Sequence, residues 1–191
     1  IVLYVLHSRI FLGNACAVGN GQCRAAVDIG VILHSELVAD VHLHAEEAQI
    51  RAENSGVLDQ PCQDSCLEFF LSAAECDARY LNIELNPNLC LYFGFGTGRV
   101  DRMRLLLPGG GKTLNACCER TATGWDVAYE LPFKLLQLFF PDFSPSGKIR
   151  GNFYKCGDLT AQEHYLAWNR VDAGHPDFHL PAYFGELCFS D

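Results

Sequence analysis

The sequence predicts an all-β fold, an antiparallel sandwich of jelly-roll type with one short helix. Three observations carry this. Segments of five to nine residues rich in Val, Ile, Leu, Phe and Tyr recur along the chain, most of them alternate apolar with polar at period two, and turn-forming Gly, Pro and Asn stand between them. Many short strands with few helices must bury one face of each sheet against another sheet.

Along the chain, the opening Ile1-Val2-Leu3-Tyr4-Val5-Leu6 reads as a first strand, broken by His7, Ser8 and Arg9. Strands follow near 25–33, 37–45, 66–72, 79–86, 89–96, 101–107, 113–120, 125–131, 148–156 and 185–190. Gly19-Asn20-Gly21, Asn86-Pro87-Asn88 and Pro108-Gly109-Gly110-Gly111 supply the tight geometry of hairpin connections. The helix is placed from Pro132, which fits a first helical turn, to Phe140, with Leu135, Leu136 and Phe139 on one face and Pro141 ending it. The last forty residues lose strict periodicity and read as a long ordered loop region ahead of the final strand, a usual location for binding residues. No linker, repeat or low-complexity tract divides the chain, so residues 1–191 are expected to form a single domain.

Composition narrows the function. The formal charge of -9, from 23 acidic and 14 basic residues, argues against nucleic acid and against anionic membranes and leaves neutral ligands such as sugars open. No apolar run approaches the roughly 20 residues of a spanning helix. Ten cysteines could form disulfides, but a chain that is 49% hydrophobic does not need them. Cys66, Cys90 and Cys188 sit in apolar strands, as buried free thiols do. Reduced thiols and a cytoplasmic setting are therefore favoured, with secretion the alternative. The pairs Cys62/Cys66 and Cys117/Cys118 lack the spacing of a zinc motif.

Strand parity supplies the candidate site. Leu67, Phe69 and Leu71 oppose Glu68; Leu81, Ile83 and Leu85 oppose Tyr80, Asn82, Glu84 and Asn86; Ile149, Gly151 and Phe153 oppose Arg150, Asn152 and Tyr154; Trp125, Val127, Tyr129 and Leu131 oppose Asp126 and Glu130. If these four strands share a sheet, one face carries carboxylates, amides, a guanidinium and a phenol. Such groups serve the planar and bidentate hydrogen bonding of sugar hydroxyls, and aromatic rings add a platform for a pyranose. A solvated or internally paired face is the plainer reading.

Other signals are weaker. Arg99 and Arg102 follow a glycine-rich turn and reach either a ligand or a nearby acid such as Asp101. His42 and His44 point to one side of a strand with Glu46 in register, as an exposed face or a metal site would. Trp125 belongs to the core. Gly109-Gly110-Gly111-Lys112-Thr113 fails as a phosphate loop, because Leu106 stands where the motif needs glycine and no helix signal follows. It is expected to be a hairpin turn.

The strings Gln63-Asp64-Ser65-Cys66-Leu67-Glu68-Phe69-Phe70-Leu71, Tyr80-Leu81-Asn82-Ile83-Glu84-Leu85-Asn86, Gly94-Phe95-Gly96-Thr97-Gly98-Arg99, Glu130-Leu131-Pro132-Phe133, Arg150-Gly151-Asn152-Phe153-Tyr154-Lys155, Asp177-Phe178-His179-Leu180-Pro181 and Phe184-Gly185-Glu186-Leu187-Cys188-Phe189 stand in one order from about residue 25 to the end. In that order they resemble the carbohydrate-binding module family 9-like domains. The resemblance implies a jelly-roll sandwich, non-catalytic binding of a mono- or oligosaccharide, no catalytic cofactor and, in some relatives, a structural Ca2+. It also implies a departure: the two tryptophans with which better-known members clamp a sugar correspond here to Cys62 and Phe178. The candidate ligand-binding residues are Glu68, Asn82, Glu84, Arg99, Arg150, Asn152, Tyr154, Trp168, Phe178 and His179. Two rival functions draw on the same residues. One is a glycoside hydrolase using two of Glu68, Glu84 and Glu130. The other is an interaction or assembly domain that kept the fold and lost the sugar site.

Overall fold

The computed structural model describes residues 8–11, 26–35, 38–73, 77–145 and 148–188. Its strands are β1 (Ser8–Phe11), β2 (Ala26–Ser35), β3 (Val38–Glu46), β4 (Cys66–Ser72), β5 (Tyr80–Leu85), β6 (Leu91–Gly96), β7 (Arg102–Leu105), β8 (Cys117–Arg120), β9 (Gly124–Pro132), β10 (Lys148–Gly157), β11 (His164–Ala167) and β12 (Gly185–Cys188), with one helix, α1 (Phe133–Phe139). They form the antiparallel two-sheet sandwich that the periodicity predicts. One sheet runs β1-β2-β3-β9-β8 and the other β11-β10-β4-β5-β6-β7. β12 also pairs with β10, along Lys148–Gly151, while β11 takes Tyr154–Gly157 of the same strand.

The inward faces are those that parity assigns. Ala39, Val41, Leu43 and Ala45 of β3 and Trp125, Val127, Tyr129 and Leu131 of β9 meet Leu67, Phe69, Leu71, Leu81, Ile83, Leu85, Phe93, Ile149 and Phe153 of the second sheet in one core. Burial of each large apolar side chain contributes about 1.5–3 kcal/mol. Phe69 and Phe153 stack across β4 and β10 at 4.5 Å. Where β9 begins, a Cβ on Gly124 would fall 1.8 Å from the carbonyl oxygen of Ala45. Gly124→Ala is therefore expected to destabilise the domain by about 1–3 kcal/mol, the usual range for overpacking. Gly98→Ala, with nothing within 4 Å of the added carbon, is the neutral control in the same thermal melt.

Several expectations change. The strand placed at 113–120 begins only at Cys117, because Gly110–Leu114 curl into a 3-10 turn after Gly109 and Gly110, whose φ of 94° and 57° suit glycine. That connection is no hairpin: it carries the chain from β7 in one sheet to β8 in the other. Asn86-Pro87-Asn88 does close a hairpin between β5 and β6, with the Asn86 side-chain oxygen accepting from the amides of Asn88 and Cys90. Pro132 caps α1 and does not lie within its first turn. His164–Ala167, read as loop, is a strand. The expected strand at Ile1–Leu6 and the turn at Gly19–Gly21 lie outside the described residues.

The largest correction concerns β9. It lies in the opposite sheet from β4, β5 and β10, so Asp126 and Glu130 cannot join the polar face of those strands. Asp126 lies 2.7 Å from His44 and 3.6 Å from His42 on the outer side of its own sheet, and Glu130 accepts a hydrogen bond from Asn115. Periodicity reveals which side chains share a face; it does not reveal which strands share a sheet.

One polar group is set inside the sandwich. Lys155, wholly buried, places Nζ 3.2 Å from Glu47 Oε2, 2.7 Å from His164 Nε2 and 2.9 Å from the carbonyl oxygen of Cys156. Glu47 also accepts from Trp125 Nε1 at 2.9 Å and Ser65 Oγ at 2.8 Å. Burial, and then the neighbouring ammonium, lower the His164 pKa, so its ring is neutral and accepts from the lysine. The group joins β9 of one sheet to β10 of the other.

Candidate functional site

The outer face of the second sheet holds the candidate site. Antiparallel register aligns Tyr154, Glu68, Glu84 and Tyr92 as successive cross-strand neighbours on β10, β4, β5 and β6, and beside them Asn152, Phe70, Asn82 and Gly94. Gly94 leaves the room this needs, since a Cβ there would come within 2.2 Å of Asn82 Oδ1. The segment 168–184 folds back over this face. Phe184 packs with Phe70, Tyr80, Tyr154 and Ala167 in a second apolar cluster, and Phe178 lies against it.

Between row and covering segment lies an open cavity of about 230 Å3. Glu68, Glu84 and Cys156 form its floor. Arg99 and Arg102 near β7, Gln60 and Cys62 before β4, Asp158 after β10 and Tyr165 of β11 also line it, with Pro176, Phe178 and His179 from the covering segment. Burial raises the Glu84 pKa to about 7, against the pull of Arg102 and the Asn82 amide, which donates to Oε1 at 2.7 Å. Burial also holds Glu68 well above the usual carboxylate range, with the adjacent Glu84 adding to the effect and the Cys156 thiol, donating to Oε1 at 2.8 Å, opposing it. Asp158 is likewise raised by burial. His179 is pushed down to about 3 by burial and by Arg102, then Arg99. Arg102, which can only donate, meets the ring with Nη1 2.7 Å from Nδ1 and 2.9 Å from Nε2, and the Tyr80 hydroxyl lies 2.8 Å from Nδ1; the neutral ring accepts from Arg102 through its one unprotonated nitrogen. The cavity thus offers carboxyl, guanidinium and imidazole groups within one small space.

Of the residues singled out in the sequence, Glu68, Glu84, Arg99, Phe178 and His179 meet at this cavity. The others stand behind it. Asn82 orients Glu84. Tyr154 is buried, stacks on Phe178 at 4.1 Å and donates its hydroxyl to the Phe178 carbonyl. Asn152 exchanges hydrogen bonds with the backbone of Asn169, and Arg150 donates to the carbonyls of Pro181 and Phe184, so both fasten the covering segment. Trp168 packs against the core 5.8 Å from Phe153 and does not line the cavity. Arg99 pairs with Asp177 at 2.9 Å; Asp101 accepts instead from Thr97. Cys62 and Phe178 both line the cavity, one with a thiol and the other with a ring.

Sequence reasoning missed Asp158, Tyr165 and Gln60 and undervalued Arg102. Asp158 reaches the site because its amide bonds to the Cys62 carbonyl, which ties the turn after β10 to the loop before β4. Spacing gives no hint of that bond. Arg102 had a signal, the shared parity with Gly96 and Tyr80 across the β5-β6-β7 ladder.

Calcium, which the resemblance implies for some relatives, takes six to eight oxygen ligands. Among the described residues, the group of His, Cys, Asp and Glu side chains gathered closely enough to hold an ion is Cys66, Glu68 and Cys156, a set too rich in sulfur for calcium.

Comparison with known proteins places this geometry. A structure from Bacteroides uniformis ATCC 8492, described as a candidate carbohydrate-binding protein, superposes with a TM-score of 0.70 at 26% identity, over 97% of this chain and 84% of that one. Two structures of a carbohydrate-binding module family 9 from Caldicellulosiruptor kristjanssonii share the fold. The complex with cellotriose has a TM-score of 0.57 at 12% identity, over 88% of this chain and 76% of that one. The complex with glucose has a TM-score of 0.56 at 14% identity, over 97% and 82%. Comparison with curated proteins returned no match. The model of carbohydrate-binding family 9 matches residues 24–189, which takes in β2 to β12, and the chain belongs to that family.

Proposed function

We propose that this domain binds a carbohydrate, without catalysis, in the cavity over Glu68 and Glu84. The observation that carries the reading is the meeting of opposite hydrogen-bonding partners around one small space, with carboxyls on the floor, Arg99 and Arg102 at the side and the Phe178 ring at the rim. Sugar hydroxyls both donate and accept, and an apolar ring edge suits a C-H face. A volume of about 230 Å3 lies below the roughly 300–1,000 Å3 of pockets for drug-sized ligands, which favours one sugar ring, such as a chain end, over a long internal stretch.

Binding without turnover is supported by the direction of the carboxyls. Glu68 and Glu84 are cross-strand neighbours and rise from the same floor, so both approach a ligand from one side. Glycosidases place their two carboxyls on either side of the scissile bond. Glu130, the third acid of that rival reading, sits on the other sheet. An apolar patch over the polar strands would favour the assembly reading; the aromatic cluster on that face is buried, and the cavity beside it is lined by acids and arginines.

Calorimetric titration with a panel of mono- and oligosaccharides tests the proposal. A saturable ligand is expected. Arg102→Ala should weaken it by about 10- to 150-fold, the worth of a hydrogen bond from a charged donor. Trp168→Phe should leave affinity unchanged, and aryl glycosides should not be cleaved. Silence across the panel, or a ligand indifferent to Arg102→Ala, would overturn the assignment.

A further inference from the structure

Beside Glu68 on the sheet face under the cavity stand two thiols, Cys66 and Cys156, whose chemistry is not that of sugar recognition. Cys66 and Cys156 are direct cross-strand partners on β4 and β10, and Glu68 follows two residues after Cys66 on the same face. One ligating atom from each, two Sγ and a carboxylate oxygen, lies within 4.8 Å of both others. All three side chains are buried, yet Glu68 and Cys156 face the open cavity beside Cys62. A route for a small ion therefore leads to a prearranged ligand set.

We propose that Cys66, Cys156 and Glu68 bind a divalent transition-metal ion, zinc by ligand preference, with the fourth position turned toward the cavity. Two thiolates and one carboxylate are a borderline-soft donor set, suited to tetrahedral zinc and unsuited to calcium or magnesium. Bond lengths of about 2.3 Å to sulfur and about 2.0–2.2 Å to oxygen set tetrahedral ligands roughly 3.4–3.8 Å apart. The present contact of 2.8 Å between Cys156 Sγ and Glu68 Oε1 is a thiol hydrogen bond. On binding, the ion takes the place of the thiol proton and the contact widens by under about 1 Å, which side-chain torsions supply. Both thiols release their protons to solvent. β4 and β10 stay in register from the Ser72–Arg150 pair to the Cys66–Cys156 pair, which holds the two thiols opposite one another. Glu84 and Asp158 border the same cavity, so an entering cation also meets further acidic groups.

No C-x2-C spacing announces this site, because its ligands come from two strands, with Cys156 and Glu68 88 residues apart in sequence. The inference shares Glu68 with the carbohydrate reading but does not rest on it, and its test needs no sugar. Its test is a titration of the full, metal-stripped chain with Co2+ under a non-chelating phosphine reductant. One equivalent is expected to produce a near-ultraviolet thiolate-to-cobalt charge-transfer band and the intense visible bands of four-coordinate cobalt, both displaced by Zn2+. Cys66→Ser and Cys156→Ser should each abolish the bands, while Cys117→Ser and Cys118→Ser, on β8 of the other sheet, leave them. If the serine variants do not fold, Glu68→Gln carries the test: Zn2+ should raise the thermal midpoint of the native chain and fail to do so in this near-isosteric variant. Absence of the bands from the native chain, their survival without Cys66 or Cys156, or an equal zinc-induced shift in Glu68→Gln would overturn the proposal.

Discussion

Lys155→Met is expected to lower unfolding stability by about 3–5 kcal/mol, the cost of leaving a buried charge without its partner. The ammonium is fully enclosed and meets Glu47, His164 and the carbonyl of Cys156. Methionine matches most of the length and apolar stem of lysine, so little volume is lost and the effect reports on charge. Glu47 would keep its bonds from Trp125 and Ser65 but lose its only close ammonium among the described residues. Urea denaturation measures the change, which should appear as a lower midpoint with the slope retained. Combining Lys155→Met with Glu47→Gln removes the orphaned charge and should restore part of the loss. A decrease below about 1 kcal/mol in the single variant would mean that the ion pair contributes no more than an exposed one.

Phe70→Ala is expected to cost a similar amount, about 3–5 kcal/mol for a fully buried phenylalanine, and to damage the cavity as well. Its ring lies at the centre of the second cluster, 4.9 Å from Tyr154, 5.0 Å from His179 and 5.7 Å from Tyr80. These contacts set the rim residues Phe178 and His179 over the acidic floor. Phe69→Ala is the informative comparison, because Phe69 is the preceding residue of the same strand and points into the inter-sheet core. Both variants should melt early. Only Phe70→Ala should weaken saccharide binding under conditions where each variant remains folded. Equal affinity in the two variants would separate the second cluster from the site.

Parity made the faces of β4, β5, β9 and β10 legible, because the inward positions of β4, β5 and β9 are large and apolar and β10 adds Ile149 and Phe153. The partners of those strands were not legible. β9 alternates as cleanly as β5, and nothing within its own residues states that it pairs with β3. Of the residues in the family motifs, Glu68, Glu84 and Phe178 come to one cavity, while Trp168 of the closing region packs against the core. The role of each side chain was harder to read. Tyr154 and Asn152 share a face with Glu68, but the depth of the covering segment decides that they support the cavity wall from behind. β11 is only four residues long, too short for any period to register. Lys155 had a usable signal: its parity with Phe153 points inward, and a lysine on a core face asks for an acid. Finding that acid at Glu47, just after β3, requires the fold.

β10 bonds to β4 along one edge and to both β11 and β12 along the other. The stretch between those two short strands is consequently tethered at both ends to a single ten-residue rail. A swing of that stretch away from the acids would first have to unzip one of its end ladders, so the roof of the chamber is a fixed part of the scaffold.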